Sequence, residues 1–222
     1  MFSLILRKNP LFLVLVVFLF ISGCQTLNVK EDFELDPDAG TGLIIGSVTQ
    51  TIKAGRNVSA AFFLNRVSGK NVRDIQAKVK TIVLGDLTFK SEFEEQQQDG
   101  RIFAVEVPAG INELDAWEIK IAAGYIYPRT PPPSLKFSVK PGEVVYIGNL
   151  HMDVDSAKNF LGIKGAIGGA PSISDEQERD IPLLKEKFKN LATKDISINV
   201  LHEGVWIDEE KVDDELEIPL GE

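Results

Sequence analysis

The sequence predicts a mainly β protein, an antiparallel β-sandwich with a small C-terminal α/β extension, on three observations. Short apolar runs alternate with a period of two. Turn residues separate consecutive runs. Past Asp155 the pattern changes, first to a glycine-rich stretch and then to apolar residues at helical spacing.

The expected strands begin after Gly40. Leu43–Thr49 is short, apolar and bounded by glycines, and Val58–Val67 sets Ala60, Phe62 and Leu64 on one face. Ala77–Leu84 alternates Val79, Thr81 and Val83 with Lys78, Lys80 and Ile82, and Leu87–Phe93 offers another short run. Arg101–Val107 groups Phe103, Val105 and Val107, while Ala116–Ala122 groups Trp117, Ile119 and Ile121. Leu135, Phe137 and Val139 alternate with Ser134, Lys136 and Ser138. Glu143–Leu150 is almost wholly apolar, as a strand covered on both faces would be. Gly85-Asp86, Asp99-Gly100, Pro108-Ala109-Gly110 and Pro141-Gly142 supply turns. Pro at the second and Gly at the third position suit a type II geometry.

Beyond the sandwich, Gly162–Gly169 reads as a flexible or bent segment. Ser174-Asp175-Glu176-Gln177 has the pattern of a capping box. Ile181, Leu184, Phe188 and Leu191 recur at helical spacing. Pro182 is best placed in a first turn, so the firm helix is expected near Ile181 with Asp180 as its N-cap. Ile196, Ile198 and Val200 then alternate as one more strand. The division is residues 1–23, 24–40, 41–155, 156–207 and an acidic tail at 208–222.

Residues 1–23 differ from the rest of the chain. Arg7 and Lys8 precede an unbroken apolar run, Leu11–Ile21, and Ser22-Gly23 then leads to Cys24. The order positive, apolar, small is that of a cleaved secretory signal. The run is about eleven residues, against the roughly 20 that a spanning helix needs. The chain has 222 residues, one cysteine and a formal charge of −9. One cysteine forms no internal disulfide, and a free thiol in an oxidising compartment is a liability that attachment of a lipid removes. The acidic balance argues against nucleic acid as a partner and against a basic membrane-docking face. Gln25–Gly40 carries Glu31, Asp32, Glu34, Asp36 and Asp38 and reads as a tether, with Phe33 and Leu35 as the alternative start of a strand.

Ile21-Ser22-Gly23-Cys24 resembles the lipobox of bacterial lipoproteins. The resemblance implies cleavage before Cys24, acylation of Cys24 and attachment to the cell envelope. With Gln25 rather than Asp next, it implies the outer membrane in preference to the inner. Phe103–Gly110, with the following Trp117 strand, and Phe137–Leu150 are similar to the strand, Pro-x-Gly, strand elements of prealbumin-like sandwiches of the carboxypeptidase regulatory type. Envelope lipoproteins of unknown function contain such domains. The sequence departs from that pattern where Ile111–Asp115 follows Gly110.

Candidate chemistry is sparse. His151, Asp153 and Asp155 share one side of a strand and could serve as metal ligands, which makes an accessory enzyme or metal-binding domain the alternative function. With no second histidine nearby they read first as a polar strand end leading into a loop, and no metal is expected. Gly162–Gly169 lacks the Gly-Lys-Ser/Thr of a P-loop and the spacing of a dinucleotide fingerprint, so no cofactor is expected. There is no Gly-x-Ser-x-Gly elbow, and the chain has two histidines, so catalysis is not expected. Tyr125-Ile126-Tyr127-Pro128-Arg129-Thr130 runs into three prolines. Stiff backbone with Tyr125, Tyr127 and Arg129 suits contact with an envelope protein partner, or equally a connection that covers a sheet edge.

Overall fold

The computed structural model describes residues 28–51, 58–66, 69–76, 91–93, 98–121, 124–158, 160, 162 and 164–207. Cys24, the expected strand Ala77–Leu84 and the acidic tail lie outside the described residues. The strands are β1 (Thr41–Thr51), β2 (Ser59–Arg66), β3 (Gly69–Gln76), β4 (Gln98–Pro108), β5 (Gly110–Ile121), β6 (Gly124–Ile126), β7 (Leu135–Val139), β8 (Val144–Lys158), β9 (Lys164–Ser174), β10 (Ile196–Ile198) and β11 (Gly204–Val205); one helix, α1, spans Gln177–Lys187.

Among the described residues these strands form two sheets. The first runs β11-β9-β8-β1-β4, with β10 beside the opening residues of β8. The second runs β3-β2-β5-β6, with β7 beside the first half of β5. The pairing is mostly antiparallel, and the two-sheet sandwich matches the expectation. Two pairs are parallel: β8 with β1, from Leu43 opposite Val144, and β8 with β10. The first arises because the whole second sheet intervenes in sequence between β1 and β8.

The sheets enclose one core. Ile44, Val48, Phe103, Val105, Val145, Ile147 and Leu150 of the first sheet meet Ala60, Phe62, Leu64, Leu114, Trp117, Ile119 and Phe137 of the second. The other face of the first sheet is also covered. Leu43, Ile45, Ile102, Ala104, Val144 and Tyr146 pack against Leu184 and Phe188 of the helical segment and against Leu191. The unbroken apolar runs of β1 and β8 follow from this, since a strand between two layers has no solvent face.

One irregularity organises the first sheet. Ile45 pairs with Tyr146, but Ser47 pairs with Asn149, so β8 carries an extra residue at Ile147–Gly148. Gly148 has φ +105°, which an L side chain rarely adopts. Below the bulge Val145 and Ile147 face the inner core; above it Leu150, Met152 and Val154 do. The backbones are also pressed together here, since a Cβ on Gly46 would lie 2.4 Å from the Gly148 carbonyl oxygen and 2.9 Å from the Phe103 ring.

Several boundaries differ from expectation. Residues 156–207 join the first sheet: β8 continues to Lys158, and β9, β10 and β11 all belong to it. The glycine-rich stretch forms much of β9, and Gly169 lets two layers close, since a Cβ there would lie 2.8 Å from Ile119 Cδ1. The helix starts at Gln177, because Asp180 N donates to Glu176 O at 2.8 Å. Asp180 is therefore inside the helix and not its N-cap, and Pro182 is internal. Part of the expected tether is docked. Val29 N donates to Ala104 O at 2.8 Å, and Phe33 and Leu35 pack on the outer core without forming a strand. Of Leu87–Phe93, residues 91–93 are described and lead a turn beside β4.

Gly46→Ala is predicted to force the Gly46–Gly148 crossing apart. Overpacking of this kind costs about 1–3 kcal/mol. A lowered urea midpoint at unchanged m-value is the expected result.

Candidate functional site

A groove of about 350 Å³ opens beside the sandwich, between the segment that follows β6 and the outer strand β9. Its walls include Trp117, Tyr127, Arg129, Ile167, Pro171 and Trp206. Trp206 builds it. Its indole N–H donates to Pro133 O at 2.8 Å, its backbone N–H donates to Pro171 O at 2.9 Å, and its ring stacks on Phe62 at 6.4 Å. One buried tryptophan thus ties the proline segment to β9 and to the core.

The residues expected to meet a partner divide. Tyr127 and Arg129 line the groove, and Tyr127 is 60% exposed. Tyr125 does not line it; it lies in β6 and stacks on Tyr127 at 6.2 Å, with the Lys120 ammonium 5.6 Å from its ring centre. The groove therefore presents an apolar floor with one guanidinium at its rim, a chemistry suited to holding a ligand. Trp206 escaped the sequence reading because nothing near it is periodic. An isolated tryptophan beside an acidic tail was the available signal.

The three residues weighed as metal ligands for the alternative function are not brought together. Asp153 and Asp155 are exposed on β8, while His151 is turned to β1, its Nδ1 2.7 Å from Thr49 Oγ1. Among the described residues no group of three His, Cys, Asp or Glu is placed to hold a metal ion. His151 is engaged with Thr49, while the two aspartates point to solvent.

His151 instead ends a row of polar groups on the helix-facing side of the first sheet. Ser47 Oγ donates to Asp180 Oδ2 at 2.5 Å, accepts from Arg179 Nη2 at 2.9 Å and lies 2.9 Å from Asn149 Oδ1. Tyr146 Oη donates to Asp180 Oδ2 at 3.0 Å and accepts from Glu176 N at 3.1 Å. Arg179 Nε donates to Asp180 Oδ1 at 2.8 Å, and its guanidinium lies 4.3 Å from the centre of the Phe93 ring. Asp180 and Ser47 are both 0% exposed. Burial, then the adjacent Asp180 carboxylate, pushes the Tyr146 phenol far above its ordinary range. A hydroxyl beside a carboxylate has the ingredients of a nucleophile. Here α1 seals it from substrate, and His151 reaches Thr49 and not Ser47. The arrangement fastens the helix to the sheet.

No family model matches the chain, and no curated protein or solved structure matches it.

Burial, the largest influence, lowers the His151 pKa from 6.5; Asp153 opposes this, Arg179 adds to it, and Glu176 opposes it. A depressed folded-state pKa means that the unfolded chain binds the proton more readily, so stability is present above pH 6.5 and lost as pH falls below it. Urea midpoints measured from pH 7.5 down to 5 should fall more steeply for the wild type than for His151→Gln; parallel profiles would contradict this assignment.

Proposed function

We propose that this chain is a lipid-anchored protein of the cell envelope with a binding or structural role and not a catalytic one. Residues 1–23 act as the export signal, Cys24 carries the lipid, and the two-sheet domain is displayed from the membrane. The outer membrane is the favoured site, on the identity of Gln25. The anchor is supported by the sole cysteine of the chain standing directly after a positive, apolar and small-residue leader. Two or more acyl chains would give attachment that a single chain does not.

The binding half of the reading is carried by the groove. The segment that carries Tyr127 and Arg129 is tied at Pro133 to Trp206, which supports a surface formed ahead of any partner. A preformed site spares the ordering cost that weakens association. Aromatic and arginine side chains are also the types that most often dominate interface energy. An envelope protein is the favoured partner.

Two outcomes follow. Cys24→Ser should abolish incorporation of labelled fatty acid and move the protein out of the membrane fraction; persistent labelling would reject the anchor. Tyr127→Ala combined with Arg129→Ala should reduce recovery of co-isolated envelope proteins at least tenfold, the loss of about 1.4 kcal/mol or more that truncating interface anchors brings. Undiminished recovery by a folded double variant would reject the groove.

A further inference from the structure

The β8–β9 hairpin extends past the end of the core. Val154 is the last buried residue of β8, Ala166 opposite Ser156 still packs on the core, and two more residues carry the strand to Lys158. At about 3.3 Å per residue the arm reaches roughly 7 Å further before the turn. At its turn Phe160 is 95% exposed. A bare two-stranded ribbon is marginal in water, and a phenyl ring at its tip adds a further cost.

The charge of the arm is opposite to that of the chain. No Asp or Glu occurs between Asp155 and Asp175, while Lys158 and Lys164 stand where the two strands meet the turn. The chain as a whole carries −9. An aromatic tip between two lysines, on an otherwise acidic protein, fits the boundary between acyl chains and anionic headgroups.

The placement of the N-terminal segment agrees. Asn28 Oδ1 accepts from Ala104 N at 3.0 Å and its Nδ2 lies 3.5 Å from Ile102 O, while Val29 N donates to Ala104 O. Asn28 and Val29 thus run alongside β4 in its own direction, entering from the end where Gln98 pairs with Thr51. Val154 N donates to Thr51 Oγ1 at 3.0 Å, so the arm leaves from that same end. Cys24 is four residues before Asn28, at most about 14 Å of chain.

We propose that the β8–β9 arm is a second, non-covalent membrane contact, in which Phe160 enters the interfacial layer of the bilayer that holds the lipid on Cys24 while the positive charge carried by the residues flanking the turn favours anionic headgroups. This rests on the lipid-anchor reading. A second contact fixes the orientation of the domain and sets which surfaces face away from the membrane.

The test uses the mature, natively processed protein in vesicles of phosphatidylcholine and phosphatidylglycerol. Phe160→Trp adds one fluorophore at the tip, and the unsubstituted protein supplies the background of Trp117 and Trp206. The added emission should shift to the blue and lose most of its intensity when the lipids are brominated along their acyl chains. Lys158→Glu with Lys164→Glu in the same background should reverse that loss. An added emission that stays water-like and unquenched in vesicles that hold the protein overturns the proposal. So does emission protected in native envelopes but not in pure lipid, which would place a protein on the arm. The mass of the N-terminal peptide separates the two readings. Acylated Cys24 with an unquenched tip rejects the arm and keeps the anchor. Unmodified Cys24 with a tip quenched on adding vesicles rejects the anchor and keeps the arm. Unmodified Cys24 with an unquenched tip rejects both.

Discussion

The first sheet is covered on both faces, and most of the architecture answers that constraint. A strand inside such a sheet has nowhere to put a charged side chain without a partner. β1 and the first half of β8 accordingly present apolar residues to both sides, and the helix and residues 28–35 complete the outer cover. The second sheet, helix-free among the described residues, needs one buried face only. β5 and β7 show this directly in their alternation of buried and less buried residues. The extra residue at Ile147–Gly148 then permits β8 to stay in both layers as the neighbouring ladder shifts.

Where the outer cover meets polar side chains, the molecule resolves the conflict by local satisfaction. Ser47, Tyr146, Asn149 and Asp180 are buried, and the Asp180 carboxylate accepts from serine, tyrosine and arginine together. A buried ion pair seldom adds much stability over an apolar replacement, but loss of one member leaves the others stranded. Its effect is directional. Hydrogen bonds to two strands and to an arginine of its own helix fix how α1 is rotated on the sheet, which apolar contacts alone define loosely.

Much of the fold was legible from local pattern. Leu135–Val139 occupies the expected residues, and Phe103, Val105 and Val107 share the inner face as their spacing required. The double burial of the strand after Pro141-Gly142 followed from its lack of polar residues. What escaped depended on distant partners. A glycine-rich segment became β9 because Ile119 of the other sheet needs the room that a side chain at Gly169 would fill. Asp180 looked like a cap because Pro182, two residues on, suits a first turn, yet its partners Ser47 and Tyr146 lie 133 and 34 residues away in sequence. Tyr127 and Arg129 were visible as a candidate surface, whereas Trp206, which gives that surface its floor, signals its role only through contacts with Pro133 and Pro171. The same blindness explains His151, whose period-two relation to Asp153 and Asp155 carried no information about Thr49 on the neighbouring strand.

The position of β1 has a consequence for the order in which the protein is made. Among the described strands it is the first to be synthesised, and it sits in the sheet between β4 and β8, with partners as far along as Met152. While the intervening residues emerge, one of the most apolar segments of the chain has an unpaired edge and two uncovered faces. Loops of this length are closed late, and exposed strand edges invite association with other chains. The native arrangement thus imposes a waiting period on β1, during which the nascent chain depends on whatever shields it.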